Sequence, residues 1–302
     1  MMNVGIIGFG SAGKRHYENC LVLGYSAEVH SSHKKSTLQQ KKYDLIVIAS
    51  KTKDHYKDVF RFKDYSDTFM IEKPLAMNLT EAKKIKQILK NKTALVGYTM
   101  IFNPMINKLK DILDKNKLGK INLVQIHCGS YLPSWRKGNY TKNYSANRKM
   151  GGGVLRELIH ETNYAQFLFP NPIKKILGYC AKISHLKIKS EDIGLIVFIQ
   201  KQGDIVITLN YFQNLPERYI KIHAEKGTIF CDLINKDLKI FDEKNNLTYD
   251  KKFEFERNDT FIDELKFATL ISAKKEKIPS ILSMDQAIKD LGIIEKIEKN
   301  RN

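Results

Sequence analysis

The first hundred residues alternate short apolar runs with stretches of helical periodicity. The stretch that follows Thr80 places alanine, isoleucine and leucine on one helical face and lysines on the other. The apolar runs have the length of buried strands and lie at 3–7, 27–30, 43–49, 69–71 and 94–98. Strands that alternate with helices predict βαβ units and an α/β fold with a doubly wound parallel sheet.

Beyond Pro104 the strands follow one another directly. A helix to about residue 114 and an alternating strand at 121–130 precede a helix near 153–168. Further elements are expected as strands at 173–184, 193–200, 204–213, 218–224, 227–233 and 238–241, and as helices at 259–273 and 284–299. This half of the chain therefore predicts an α/β domain with an open, mostly antiparallel sheet.

A glycine-rich turn joins the first strand to the first helix. Its G-x-G-x-x-G pattern permits a tight turn, close approach of a pyrophosphate and close packing of helix on strand. The helix N-terminus adds partial positive charge for the phosphates. We therefore predict a dinucleotide cofactor bound by Gly8, Phe9, Gly10, Ser11, Ala12 and Gly13.

The length of 302 residues favours two domains. The change of pattern predicts a Rossmann dinucleotide-binding domain at 1–102. Residues 103–302 are expected to bind substrate and to support oligomerisation, with the last helix packing back on the first domain.

Bulk composition narrows the class of protein. Hydrophobic residues make up 42% and charged residues 28%, as in soluble globular proteins. No apolar run has the length of a membrane span, and no secretion signal is recognised. The cysteines (20, 128, 180 and 231) show no metal-binding spacing. We expect a cytoplasmic protein with reduced thiols, no membrane partner and no metal.

The net charge of +18 raises the question of nucleic-acid binding. The basic residues are mostly lysines spread along the chain, without a basic tail or a nucleic-acid motif. We interpret them as a solvated surface that can help steer an anionic substrate, and we expect no nucleic-acid partner. A nucleic-acid binder would instead show steeply salt-dependent affinity.

Two further segments complete a family resemblance. Ile71-Glu72-Lys73-Pro74-Leu75 follows the fourth strand, and Gly151-Gly152-Gly153 opens a helix that carries His160. With the glycine turn, they make the chain resemble the Gfo/Idh/MocA oxidoreductases, which use NAD or NADP to oxidise or reduce sugars, inositols and related polyols. Matching pieces that the resemblance assigns to the cofactor site include Ala49, Ser50, His55, Glu72 and Lys73.

A more specific likeness lies in the second domain. Gly129 to Arg136 and Tyr144 to Ala146 resemble a subgroup associated with bacterial surface-polysaccharide and nonulosonic-acid sugar pathways. The resemblance implies a sugar or nucleotide-sugar substrate and a homodimer or homotetramer. An open sheet face would otherwise leave an apolar patch in water.

Lys73 is the first candidate for proton transfer. Hydride transfer to or from an alcohol carbon requires a proton to leave or join the oxygen. Pro74 biases Lys73 away from helical backbone, which holds the lysine at the strand end. The resemblance assigns the lysine of Glu-Lys-Pro this catalytic role; without it, a strand-end lysine is usually a surface residue.

His160 and Glu157 are the other catalytic candidates. The common family pattern has an Asp four residues before its His, whereas Glu157 stands three before His160 and four before Glu161. On one continuous helix, both spacings would share a face. Whether His160 or Glu161 occupies the usual histidine place stays open, and Glu161 and Asn163 are taken as substrate-binding candidates.

The loop 131–149 is rich in aromatic and hydrogen-bonding side chains. Aromatic faces suit sugar rings, and arginine suits a carboxylate or phosphate. We interpret the loop as a substrate wall, with a dimer contact or a covering loop as alternatives. The candidate substrate-binding residues are Trp135, Arg136 and Tyr144, joined by Tyr98 of the first domain.

Cofactor preference depends on the end of the second strand. An acidic residue there would bind the ribose 2′-hydroxyl of NAD. This chain instead has Ser31, Ser32 and then His33-Lys34-Lys35. Hydroxyls and cations suit a 2′-phosphate, so NADP is favoured over NAD.

We therefore predict an NAD(P)-dependent oxidoreductase that acts on a hydroxyl or keto group of a sugar derivative, with Lys73 and His160 handling the proton. Two alternatives remain. One is a catalytically inactive dinucleotide-binding regulator, which the altered spacing near His160 keeps open. The other is a non-redox reaction in which bound NAD is recycled.

Overall fold

The computed structural model describes residues 2–32 and 42–299. The chain divides into two units, Met1–Phe102 with Glu256–Gly292 and Asn103–Phe255 with Ile293–Asn302. Residues 256–292, which the sequence assigned to the second domain, thus belong to the first unit.

The first unit contains a five-stranded parallel sheet. Its elements are β1 (Asn3–Ile7), α1 (Ser11–Val22), β2 (Ser26–His30), β3 (Leu45–Ile48), α2 (His55–Phe62), β4 (Thr68–Glu72), α3 (Leu79–Ile88) and β5 (Thr93–Gly97). The strand order is β2-β1-β3-β4-β5, with parallel pairing throughout. Every residue of β3 is buried, because both faces of the sheet are covered. The predicted doubly wound sheet is confirmed.

The second unit contains an eight-stranded sheet. Its elements are α4 (Pro104–Asp114), β6 (Ile121–Tyr131), α5 (Val154–Glu157), α6 (Ile159–Leu168), β7 (Lys175–Ala181), β8 (Ile193–Ile199), β9 (Asp204–Asn210), β10 (Phe212–Ala224), β11 (Gly227–Asp232), β12 (Asp237–Asp242) and β13 (Leu247–Lys252). The order is β13-β12-β11-β10-β6-β9-β8-β7. All neighbours pair antiparallel except β6 and β9, which confirms the mostly antiparallel prediction. The sequence missed β13, whose charged and exposed residues carry no apolar alternation.

The two faces of this sheet differ. On β8, Ile196 and Phe198 are fully buried on the side where α5 and α6 pack. Their neighbours Leu195 and Val197 point to the opposite face and are only half-buried. The second sheet therefore has one covered face and one open face, which is apolar at β8.

The predicted helix at 153–168 is interrupted. Leu158 has φ −99° and ψ 29°, so α5 ends at Glu157 and α6 begins at Ile159. The expectation of one continuous helix that carries both Glu157 and His160 is therefore wrong.

Two helices follow the second sheet in the chain. They are α7 (Arg257–Ser272) and α8 (Met284–Lys299). Across the described ranges, none of the helices is both long enough and apolar enough to cross a membrane.

Candidate active site

The glycine turn has the shape that a pyrophosphate site requires. Gly8 has φ +93°, and a Cβ on it would lie 2.6 Å from Ser50 Cα. A Cβ on Gly13 would lie 2.1 Å from the Gly8 carbonyl oxygen, so both positions exclude larger residues. Around Gly10, by contrast, a Cβ would meet no atom within 4 Å. This space lets a ligand approach the backbone closely.

The N-terminus of α1 completes this anion site. Gly10 gives no side-chain cap, and no acidic residue lies in the first turn. The first amide groups therefore remain available for a phosphate. Ser11 is exposed, Ala12 is half-buried, and Phe9 is 57% exposed with its ring edge-on to Tyr17 at 6.0 Å. These residues fit a dinucleotide.

Two residues of α2 that sequence reasoning missed contact the segment just beyond β2. Arg61 on α2 donates from Nη1 to the Ser31 carbonyl oxygen at 2.9 Å. Asp58 is fully buried, and its Oδ2 accepts from Ser32 Oγ at 2.7 Å. Ser32 is thus engaged with a carboxylate, whereas Ser31 is exposed. The predicted contacts of His33, Lys34 and Lys35 lie outside the described residues.

His55 links the ends of two neighbouring strands. Its Nε2 lies 3.2 Å from the Ser50 carbonyl oxygen, and its Nδ1 lies 3.2 Å from that of Leu75. Burial lowers the pKa of His55, although both carbonyl contacts oppose the shift. Ala49 is buried beside this junction at the end of β3. The segment after β4 is therefore held against the end of β3.

Lys73 lies on that segment, one residue beyond β4, and is half-buried. The Lys73–Pro74 peptide bond is cis. Glu72 is buried on the other side of the strand end, where its Oε1 accepts from His16 Nε2 at 2.7 Å. Burial alone would raise the pKa of Glu72, but the hydrogen bond and charge of His16, helped by Lys73, hold it below its usual value.

Tyr98 follows β5 and is buried. Burial and then the Asp290 carboxylate raise the pKa of its hydroxyl well above the usual value. In the first unit, Tyr98 thus packs within the protein interior.

In the second unit, the glycine run lets three segments meet. A Cβ on Gly152 would lie 2.1 Å from the Tyr144 carbonyl oxygen, and one on Gly153 would lie 2.1 Å from Glu191 Oε1. The φ of Gly153 is +125°. Glycine at both positions therefore allows the loop and Glu191 to approach the start of α5.

Glu157 is joined to the predicted substrate loop. Its carboxylate accepts hydrogen bonds from the Tyr144 hydroxyl and, at 3.0 Å, from Ser145 Oγ. The structure thus brings together Glu157, which was predicted as a catalytic residue, and Tyr144, which was predicted as a substrate-binding residue.

His160 and Glu161 have different surroundings. His160 is half-buried, whereas Glu161 is fully buried and its Oε1 lies 2.7 Å from Arg218 Nη2. Burial disfavours the charged guanidinium, but the Glu161 charge outweighs it and raises the pKa of Arg218. Asn163 is also buried. Glu161 is thus committed to an arginine on β10 that the sequence did not single out.

The loop aromatics are tied to the sheet. Trp135 donates from Nε1 to Ser130 Oγ at 2.8 Å, and its ring meets Tyr211 edge-on at 5.2 Å. The exposed Arg136 guanidinium lies 5.9 Å from the centre of the Tyr144 ring. Arg136, Tyr144 and Glu157 therefore form a connected group of cation, aromatic ring and buried acid.

Comparison with known proteins finds family models that match residues in both units. Residues 22–100 match the model described as "Oxidoreductase family, NAD-binding Rossmann fold", and residues 106–230 match "GFO/IDH/MocA C-terminal domain". A myo-inositol 2-dehydrogenase of Thermotoga maritima is 21% identical over 315 residues, covering 93% of this chain and 91% of that protein. A 2,7-anhydro-N-acetylneuraminate hydratase of Mediterraneibacter gnavus is 21% identical over 63% of this chain and 51% of that protein. The chain thus spans about half the length of that relative and of another curated one.

Solved structures show the same fold. The WlbA dehydrogenase of Bordetella pertussis, in complex with NADH and UDP-GlcNAcA, superposes with a TM-score of 0.75 at 16% identity. A super-repressor mutant of Gal80p from Saccharomyces cerevisiae superposes with a TM-score of 0.82 at 15% identity. Each alignment covers 99% of this chain and 95% of the other.

Proposed function

Because the chain belongs to the Gfo/Idh/MocA oxidoreductase family, we propose that it transfers a hydride between NAD(P) and a hydroxyl or keto group of a sugar derivative. The observation that carries the proposal is the pairing of two features in the first unit. One is the uncapped N-terminus of α1 with open space at Gly10. The other is Lys73 at the end of β4, where His16 binds Glu72 before it and His55 binds the Leu75 carbonyl oxygen after it.

The proposed roles follow from the chemistry of the side chains. When bound, the nicotinamide supplies the hydride donor or acceptor. Lys73 gives a proton to the substrate oxygen during reduction and removes it during oxidation. His160 is proposed as the second proton-handling residue. Glu157 fixes the Tyr144 hydroxyl, which leaves that ring in one orientation for a substrate.

We propose an acidic or nucleotide-linked sugar as substrate. Arg136 is exposed and can pair with a carboxylate or phosphate, while Trp135 and Tyr144 offer faces for a sugar ring. The WlbA structure contains UDP-GlcNAcA, and the hydratase is named for a sialic acid derivative. Both ligands are acidic sugars, which supports this substrate class.

NADP is the proposed cofactor. Ser31 is exposed at the end of β2, and Arg61 is anchored on its carbonyl oxygen. A hydroxyl and a guanidinium at this position suit a 2′-phosphate. Asp58 is buried and already accepts from Ser32, so its carboxylate is less suited to bind a ribose hydroxyl.

The open face of the second sheet is proposed to form a homodimer or homotetramer. Leu177 and Tyr179 on β7 are exposed there, beside the half-buried Leu195 and Val197 of β8. A second copy would remove this apolar surface from water.

Titration calorimetry with NADPH and NADH, after removal of carried-over cofactor, tests the proposal first. Tight binding of either followed by turnover on acidic or nucleotide-linked sugars, with an absorbance change at the nicotinamide band, would support it. Binding of neither cofactor would contradict it.

A second candidate is a non-redox reaction with recycled NAD, favoured by the hydratase among the relatives. Product formation without net nicotinamide change would identify it. Cofactor binding with no chemistry on a broad sugar panel would instead support a regulatory protein.

A further inference from the structure

Three elements of the first unit bring ionisable side chains together at the strand end that precedes Lys73. His16 comes from α1, Glu72 from the end of β4 and Glu264 from α7, with one ligand atom of each within 4.8 Å of the others. Gly97 lies between the two acids, since a Cβ there would be 3.5 Å from Glu72 Oε2 and 3.6 Å from Glu264 Oε1.

Glu264 is 0% exposed, and in the described part of the chain neither of its carboxyl oxygens makes a hydrogen bond of regular geometry. The Glu72 carboxylate, the Thr99 hydroxyl and the His16 ring lie beside it. Two buried carboxylates thus face one another, and no arginine from residues 2–32 or 42–299 acts on either of them. Even a protonated His16 would balance only one of them, so ionisation of both would leave an uncompensated buried charge.

We propose that Glu264 is protonated in the folded protein and that its carboxylic acid donates a hydrogen bond to the carboxylate of Glu72. Through Glu72, Glu264 acts as a positioning residue for Lys73. Glu72 then remains the single anion of the cluster, fixed between His16 and Glu264. Burial and then the neighbouring Glu72 charge raise the pKa of Glu264 well above its usual value, and Thr99 opposes the shift only in part.

A metal ion fits the geometry less well. Ligands about 2.1 Å from a metal are separated by about 3 Å or more, whereas His16 Nε2 and Glu72 Oε1 are in direct hydrogen-bond contact at 2.7 Å.

The consequence concerns Lys73. The groups that face Glu72 are His16 on α1, Glu264 on α7, Lys73 on its own segment and His55 on α2. His55 holds the backbone of the segment at Leu75. The proton on Glu264 keeps the Glu72 side chain in place, so the strand end that carries Lys73 is fixed from both faces of the sheet. This role of Lys73 rests on the proposed function; the proton on Glu264 does not.

Infrared spectroscopy tests the proton directly. The protein without cofactor or substrate should show the carbonyl stretch of a protonated carboxylic acid at neutral pH. Glu264→Gln should remove that band, while Glu276→Gln, which changes an exposed acid of the same unit, should retain it. An unchanged spectrum in Glu264→Gln would overturn the proposal. Tightly bound metal at one ion per chain, lost in Glu264→Gln, would overturn it as well.

Turnover tests the positioning role. Glu264→Leu removes the donor to Glu72, so kcat should fall by about tenfold or more. The acid limb of the pH–kcat profile should move to higher pH, because the Glu72 anion is less stabilised. Glu264→Gln keeps an N–H donor and should rescue both parameters. Equal loss in the two variants, or an acid limb that moves to lower pH, would contradict the role. If the wild-type protein has the infrared band but turns over no substrate, the proposed function fails and the proton on Glu264 stands.

Discussion

Two groups of buried acids, one in each unit, are balanced by different means. In the first unit, Glu72 and Glu264 lie with His16, and among the described residues no arginine contributes to the charge balance of either acid. In the second unit, Glu161 is paired with Arg218, and Glu298 with Arg156 and Arg148. Arginine stays charged at all ordinary pH values, whereas histidine, and a carboxylic acid whose pKa is raised by burial, can change protonation state as the pH changes. The Glu72 and Glu264 cluster can therefore respond to pH, whereas Glu161 and Glu298 are paired with cations that do not titrate.

The largest expected effect is the loss of turnover when Lys73 of the first unit is replaced. Lys73→Ala should lower kcat by about 10²–10⁴-fold, the usual contribution of a general acid–base residue. Cofactor affinity should stay within a few-fold, because the glycine turn does not involve the lysine. Steady-state kinetics with calorimetry measures both, and Lys51→Ala, which changes an exposed lysine near the end of β3, is the matched control. Near-normal turnover in Lys73→Ala would remove the lysine from the mechanism.

The acid–arginine pairs of the second unit should make its stability sensitive to the loss of one arginine. Arg218→Met leaves Glu161 buried without compensation, which should destabilise the protein by about 3 kcal/mol. We take the low end of the usual range because the Arg218 side chain is 23% exposed. Urea unfolding measures the loss. Adding Glu161→Gln to Arg218→Met should restore part of it; no recovery in the double variant would mean that the pair is not coupled.

The Glu264 carboxyl of the first unit should instead make the free energy of unfolding depend on pH. The pKa of Glu264 is higher in the folded than in the unfolded state, so its contribution is fully present below the unfolded pKa of about 4.5 and is lost as pH rises toward the folded pKa. The slope is at most about 1.4 kcal/mol per pH unit. Glu264→Gln should flatten this decline. Unfolding free energies measured from pH 5 to pH 8 decide the point, and parallel curves for the two proteins would contradict it.

The smallest expected effect concerns cofactor choice. Ser31→Asp places an anion where a 2′-phosphate would bind and should shift preference toward NADH by about tenfold. Arg61→Gln should weaken NADPH binding with less effect on NADH. Calorimetric affinities of both cofactors give the ratio. An unchanged ratio in both variants would refute the argument from the end of β2.

The sequence predicted the fold well because the helical repeat of apolar residues and the alternation typical of strands are both properties of neighbouring residues. The glycine turn and the Glu-Lys-Pro segment were found for the same reason, since each is contiguous in the chain. Arg61, Arg218 and Glu264 were missed because their partners are distant in sequence.

Two of these residues did leave a sequence signal. Arg218 shares a strand face with Ile220 and Ile222, and Glu264 lies one helical turn from Ala268 on the buried face of α7. A charged residue on an otherwise apolar face predicts a buried partner, although the pattern does not identify that partner. The break at Leu158 had no comparable signal, because the residues around it are compatible with a helix.

The glycines at 152 and 153 also limit how this protein can be redesigned. The Tyr144 backbone and the Glu191 side chain approach so closely that any side chain at these positions would force them away. Mutagenesis aimed at a new substrate should therefore leave both glycines and residues 144 and 145 unchanged. The exposed tip of the loop, from Arg136 to Asn139, is the segment in which sequence diversity can be introduced with the least effect on folding.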